Sequence, residues 1–207
     1  MPTSTVNTWY TVIIKENTMA SNISGVVQAP EPPYRGHVVQ VGPYQVLAGG
    51  TMYLQPEDLA KADVLVPLTG CAEYEFGSTY QVTSAQQPSR ITALEAGREY
   101  TMLVGRLPDF GGVPDNWQWF LEERVIPLLV QGKTLLGFCM ASQGRTGTWL
   151  GSLVALLEPQ TKDPIAAIRQ RHCAKAVETL AQAEAIFALR GQPLPKKYQR
   201  EFGRSRH

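Results

Sequence analysis

The sequence is poor in the residues that build metal centres and disulfide frameworks. It has three cysteines, Cys71, Cys139 and Cys173, and three histidines in 207 residues. The cysteines are scattered without metal-ligand spacing, so neither a zinc site nor a disulfide scaffold is expected, and no metal or cofactor with it. Charge of one sign is lacking too, the formal net charge being +1. A nucleic-acid-binding chain would show a basic stripe, so no nucleic-acid partner is expected. No apolar run reaches the length of a bilayer span, and no basic patch leads into an apolar segment near the N-terminus. The expectation is a cytoplasmic protein with no membrane partner, where a reducing environment leaves a thiol free to react. No internal repeat or low-complexity linker interrupts the chain.

What is present is an ordinary globular share of apolar residues, 43%, enough for one sizeable core. The Pro-rich run QAPEPPYRG at 28–36 is the nearest thing to a boundary. It separates an N-terminal extension over 1–36, packed on the core, from a main domain over 37–192; a basic tail follows over 193–207. Within the extension, residues 9–15 and 23–27 read as short strands. From Val38 the pattern is α/β. Strands are expected at 44–48, 64–68, 100–104 and 134–138, each a short apolar run bounded by turns. Helices are expected at 56–61, 116–131, 146–157, 165–172 and 178–189. Asp115 and Asp163 stand where two of these helices need N-caps. Pro127 is expected to bend the helix over 116–131, which turns Trp117, Phe120, Leu121, Ile126 and Leu128 inward. Strands alternating with helices imply an α/β fold: a central, mostly parallel twisted sheet flanked by helices on both faces. The tail KKYQREFGRSR reads as solvated and frayed.

The most informative stretch is KTLLGFCMASQGRTGT at 133–148. An apolar strand ends at a Cys, five uncharged residues follow, and then Arg145 opens a long apolar helix. A loop that opens a helix presents several N–H groups without intrahelical partners, and the helix dipole adds positive potential. Such a loop binds anions. A Cys at its mouth is favoured as thiolate by the same field and becomes a nucleophile at neutral pH. Arg145 offers a planar fork that matches two phosphate oxygens. Gly144 lets the backbone turn inward, and Thr146 is placed to donate its hydroxyl to the Cys139 sulfur.

Several segments together resemble the cysteine-dependent protein tyrosine phosphatase superfamily, and most of all its compact dual-specificity branch. CMASQGRTG at 139–147 is similar to the signature loop, a Cys and an Arg with five residues between them, followed by Ser or Thr. LPDFGGVPD at 107–115 resembles the mobile loop that carries a general acid. DPIAAIRQRHCAKAVETLAQ at 163–182 resembles the helical segment ending in Val-Glu-Thr-x-x-Gln, while YQVLAGG and ADVLVPLTG resemble the first core strands. The resemblance implies a phosphatase that attacks through Cys139. Met140, Ala141, Ser142, Gln143, Gly144 and Arg145 would bind the phosphate. Asp109 would act as acid and then base, and Gln182 either positions the hydrolytic water or is only structural. Asp115, closer to the signature loop, is the competing acid and suits a helix cap better. Three departures stand out: Phe138 where the family has His before the nucleophile, Ser142 where a Gly is frequent, and one extra Gly in the acid loop. Phe138 removes a group that helps to hold the loop.

Other residues carry plainer readings. Glu178 and Thr179 cap the last helix. Arg169 braces the signature loop from behind or lies on the surface. His172 and Cys173 are structural, since neighbours on one helix end make a poor chelate. Cys71 is a small buried residue or a resolving thiol. Trp117 and Trp119 belong to the core and to the helix surface. The uncharged loop over 140–143 disfavours a polyphosphoinositide, and the low net charge disfavours an RNA 5′-triphosphate. The expected substrate is a phosphorylated protein or peptide carrying phosphotyrosine, with phosphoserine and phosphothreonine as further candidates. The alternatives are a catalytically weak phosphate-binding pseudophosphatase, a phosphatase for a non-protein ester, and a thiol enzyme of another class.

Overall fold

A computed structural model of the chain describes residues 34–86, 91 and 93–203. The expected strands at 9–15 and 23–27 lie outside the described residues, as do all but the last three positions of the extension. Six strands form one sheet: β1 (His37–Val41), β2 (Tyr44–Gly50), β3 (Val64–Pro67), β4 (Thr79–Thr83), β5 (Glu99–Leu103) and β6 (Leu135–Cys139). Their order is β1-β2-β6-β3-β5-β4. The inner pairings β2–β6, β6–β3 and β3–β5 are parallel, and both edge strands are antiparallel. The sheet is thus α/β as expected, parallel at its centre and mixed at its edges. Neither edge strand was assigned from sequence. In β1 the signal is plain, since Val39 and Val41 alternate inward.

Helices α1 (Pro56–Leu59), α2 (Trp117–Trp119), α3 (Ile126–Val130), α4 (Gly144–Leu157), α5 (Pro164–Arg171), α6 (Leu180–Ala188) and α7 (Lys196–Gly203) surround the sheet. Period-two alternation divides the strands between two cores. Val46, Ala48, Val64, Val66 and Leu135 pack with Trp117, Phe120, Trp149 and Leu153. Leu47, Leu65, Leu136 and Phe138 face the other side, toward Leu54, Leu59, Ile91 and Met102. Helix α4 is buried along nearly its whole length, as its apolar sequence requires.

Helix α4 packs closely on the sheet. A Cβ at Gly137 would lie 2.2 Å from the Trp149 ring. Gly137→Ala forces Trp149, fully buried, out of its site. The expected loss is about 1–3 kcal/mol of stability, read as a lowered thermal midpoint; an unchanged midpoint would refute this packing.

The helix expected over 116–131 is built differently. Its N-cap is Asn116 with no side-chain cap, and Asp115 is exposed; the assignment of Asp115 as cap is corrected. Between α2 and α3, Phe120–Val125 form a π-helical turn, in which the Ile126 N–H reaches Leu121 O. This wider turn accommodates Pro127, which has no N–H to donate. It also shifts the helical phase by about one residue, so Val125, Ile126 and Leu129 are buried and Leu128 is only half-buried.

The tail reading is corrected as well. Residues Lys196–Gly203 form α7, anchored by buried Tyr198 and Phe202 on Phe187 and Ile186. Apolar residues four apart are the signal that the basic composition masked. Asp163 caps α5 through the Ala166 N–H at 2.9 Å, as expected, and Tyr198 donates to the same carboxylate.

At the far end of α4, buried Glu158 accepts two bonds from Arg171 (2.5 and 2.9 Å) and one from the Gly42 N–H (2.7 Å). Burial pushes its carboxyl pKa up, but the bonds from Arg171, Gly42 and Thr161 outweigh this and hold it below the usual carboxylate range. The folded state therefore favours the ionised form. The resulting stability is present above the unfolded carboxylate pKa and is lost as pH falls through the lower folded one. Glu158→Gln is expected to cost about 2 kcal/mol at neutral pH and to remove that part of the acid sensitivity in a denaturant titration.

Candidate active site

Strand β6 delivers Cys139 to the carboxyl end of the sheet, where Gly50 pairs with it in β2. The Thr51 N–H holds the Cys139 carbonyl at 2.8 Å, and the Leu68 N–H holds the Phe138 carbonyl at 2.8 Å. The Cys139 backbone is thus fixed from both neighbouring strands. Cys139 is buried. The loop over 140–143 then turns into α4. Gln143 occupies the N-cap position without a side-chain cap. Among the described residues, Ala141, Ser142 and Gln143 donate no backbone hydrogen bond. Free amides, a helix N-terminus and a guanidinium form an anion cradle.

Arg145 is buried, and its Nη2 lies 3.2 Å from Asp109 Oδ1 on the acid loop. The structure therefore brings the expected acid to the rim of the cradle, and leaves Asp115 exposed elsewhere. Asp109 is itself 59% exposed. Phe110, Ser142 and Val177 have left-handed φ of 53°, 61° and 65°. Each adjoins a site group, Asp109, the cradle amides or Glu178, and such strain gathers where geometry serves a site. The φ of Ser142 also explains why a Gly suits that position.

Thr146 does not make its expected bond to Cys139. Its hydroxyl is buried without a hydrogen-bond partner, as is that of Ser142. Gln182 is buried beside the cradle, and its Oε1 accepts from the Glu178 N–H at 2.8 Å. Thr179 caps α6 through the Gln182 N–H at 3.2 Å. Glu178 was read as a second cap, but its carboxylate accepts from the Gly144 N–H at the start of α4. A Cβ at Gly144 would lie 2.2 Å from Glu178 Oε2, so this approach requires glycine. Partial burial pushes the Glu178 carboxyl pKa up and the Asp109 charge adds to it, while the Gly144 N–H, Arg145 and Lys175 pull it back. The only sequence signal for Glu178 was its place in Val-Glu-Thr-x-x-Gln.

Arg169 does not brace the signature loop. Its guanidinium donates to the carbonyls of Ala176 and Val177, pairs with Glu201 and lies over the rings of Tyr198 and Phe202. It thereby ties α7 to the segment that presents Glu178. His172, read as merely structural, bonds the Ser142 carbonyl at 2.6 Å. Cys173 pairs with the Tyr34 hydroxyl, and Cys71 is buried beside Met102. Trp117 is buried and Trp119 exposed, as expected. Among the described residues, no group of three or more His, Cys, Asp or Glu is placed to hold a metal ion. No helix among them is long and apolar enough to cross a membrane.

No family model and no curated protein matches this sequence. Solved structures do match the fold. The phosphatase Tk-PTP in its active form aligns with a TM-score of 0.54 at 18% identity, covering 79% of this chain and 100% of that one. Kinase-associated phosphatase, with its catalytic cysteine replaced by serine, aligns with a TM-score of 0.54 at 14% identity, covering 75% and 94%. A protein tyrosine phosphatase of Trypanosoma brucei aligns with a TM-score of 0.52 at 19% identity, covering 94% and 84%. The six-stranded sheet and the helices around it share the fold of these protein tyrosine phosphatases.

Proposed function

We propose that this chain hydrolyses phosphate monoesters through a phosphocysteine on Cys139. The observation that carries the reading is the 3.2 Å contact between Asp109 and Arg145 across the cradle that Cys139 opens. The Cys139 thiolate attacks phosphorus in line and forms the S–P bond as the ester P–O bond breaks. Asp109 gives its proton to the leaving oxygen. Arg145 and the amides of the loop hold the equatorial oxygens. Water then attacks the phosphocysteine, Asp109 takes its proton, and inorganic phosphate and thiolate are released. Gln182 orients that water. A cytoplasmic setting suits the free thiol.

The substrate class follows from the rim. Met52, Phe110 and Met140 are exposed large apolar residues, 66%, 64% and 47% accessible. Phe110 adjoins Asp109, and the Met52 N–H lies 3.4 Å from the Met140 carbonyl. An apolar rim favours an aryl phosphate, hence phosphotyrosine on a protein or peptide, with phosphoserine and phosphothreonine as weaker substrates. A panel of phosphopeptides, inositol phosphates and 5′-triphosphate RNA assayed side by side tests this. Turnover led by an inositol phosphate or the RNA would overturn the substrate class and leave the mechanism standing.

Asp109→Asn is expected to lower kcat by about 10²- to 10⁴-fold, the usual range for a general acid. The loss should be larger for phenyl phosphate than for p-nitrophenyl phosphate, whose leaving group needs less protonation. Equal losses on the two esters would remove Asp109 from the acid role. A second reading, a catalytically weak phosphate-binding protein, is favoured by one feature. The Glu178 carboxylate occupies the Gly144 N–H and places negative charge where a phosphate dianion arrives. Absence of turnover in reduced protein that still binds phosphate would select it.

A further inference from the structure

The nucleophile has no histidine in front of it, yet two histidines stand behind its loop. On the phosphatase reading of this site, we infer that His172, oriented by His37, is a positioning residue that holds the phosphate cradle in its binding shape through the Ser142 carbonyl. His172 Nε2 lies 2.6 Å from that carbonyl, and His172 Nδ1 lies 2.8 Å from His37 Nε2. The two rings are nearly parallel, 7° apart, with centroids 4.8 Å apart. His172 is fully buried.

Hydrogen accounting fixes the tautomers. A carbonyl only accepts, so His172 Nε2 carries the proton. In the neutral ring Nδ1 then accepts, and His37 Nε2 must donate to it. His37 Nδ1 is left with a bare lone pair, and that atom is buried without a partner. The chain of donors therefore runs from His37 through His172 to Ser142. Burial, and then His37, lower the His172 pKa to about 4, and burial lowers that of His37. Both rings are neutral at physiological pH, as this chain requires. The Tyr34 ring lies against both imidazoles, 5.6 Å from His172 and 6.2 Å from His37, and the Tyr34 hydroxyl pairs with Cys173.

The held carbonyl matters because the peptide between Ser142 and Gln143 carries it on one edge and the Gln143 N–H on the other. Turning that peptide would aim a carbonyl, rather than the Gln143 N–H, at the cradle, and a donor to the anion would become a repulsive acceptor. His172 prevents the turn by bonding the carbonyl from behind. Phe138 cannot do this, being an apolar core residue on the other face of the sheet.

The test combines a spectroscopic readout with an alkylation readout that needs no turnover. ¹⁵N-histidine spectra of the whole chain should show His172 and His37 neutral and protonated at Nε2. Carboxymethylation of Cys139 by iodoacetate, relative to reaction with neutral iodoacetamide, reports the anion affinity of the cradle. In His172→Ala that preference should fall about 10-fold or more, and kcat/KM for p-nitrophenyl phosphate about 10²-fold. His172→Gln, whose amide N–H can reach the same carbonyl, should restore most of both. His37→Ala leaves His172 in place and should give a smaller loss in the same direction. A His172 protonated at Nδ1 would overturn the inference. So would a folded His172→Ala or His37→Ala with unchanged iodoacetate preference. If the wild type lacks turnover, the phosphatase reading fails, while the tautomers and the alkylation ratio still decide the role of His172.

Discussion

Cys139→Ser is expected to abolish turnover of p-nitrophenyl phosphate while phosphate still binds. The loss should be about 10⁴- to 10⁶-fold, the scale on which covalent nucleophiles act. The serine hydroxyl is far from ionised at neutral pH, and the cradle's field cannot make it so. Binding persists because it does not depend on sulfur. The amides of Ala141, Ser142 and Gln143, the start of α4 and the Arg145 fork are backbone or side-chain groups that the substitution leaves alone. The Thr51 and Leu68 N–H groups hold the strand end by its carbonyls, so the fold tolerates the exchange of one buried atom. Turnover retained within about 10-fold would mean another residue carries the chemistry, since removing a true nucleophile costs far more.

Arg145→Ala is expected to cost about 10³- to 10⁵-fold in kcat/KM, the range for an arginine that stabilises phosphoryl transfer. Two effects act together. The fork that binds two equatorial oxygens is lost, and Asp109 loses its 3.2 Å partner. Asp109 is largely exposed and has little else to hold it over the cradle. Both KM and kcat should therefore worsen. Arg145→Lys keeps a charge but not the planar bidentate geometry, so it should recover only part of the loss. Because Asp109 depends on Arg145, the double variant with Asp109→Asn should fall short of the summed single losses. Full additivity, seen in kcat/KM on phenyl phosphate, would show that the two residues act independently.

The parts of this site that were legible in the sequence are those fixed by local chemistry. A short apolar strand, a Cys, a loop of small residues and an Arg opening an apolar helix allow few arrangements, and β6, Cys139, Arg145 and α4 fall where those residues require. Asp109 was preferred to Asp115 for its Gly-rich loop and its spacing from Cys139, and it is the one of the two that lies against Arg145. The misses were of another kind. Asp115 looked like a cap, but a cap depends on the turn before the helix, and Asn116 takes that place. Leu128 was placed inward by a period of 3.6, which the π-helical turn ahead of Pro127 breaks. The basic composition of α7 hid the spacing of Tyr198 and Phe202. Thr146 lacks its bond to the thiol, which only exact side-chain placement decides. His172, Glu178 and Arg169 act through contacts with residues brought near by the fold, and neither spacing nor residue type alone reveals such partners.

The mechanism stands or falls on the covalent intermediate. Acid quenching during turnover of p-nitrophenyl phosphate, followed by mass spectrometry of the proteolysed chain, locates any transferred phosphoryl group. The expected result is one phosphoryl group on the peptide that contains Cys139, absent in Cys139→Ser. Steady turnover with no phosphorylated Cys139 peptide, or with the phosphoryl group on another residue, would contradict nucleophilic catalysis at this site.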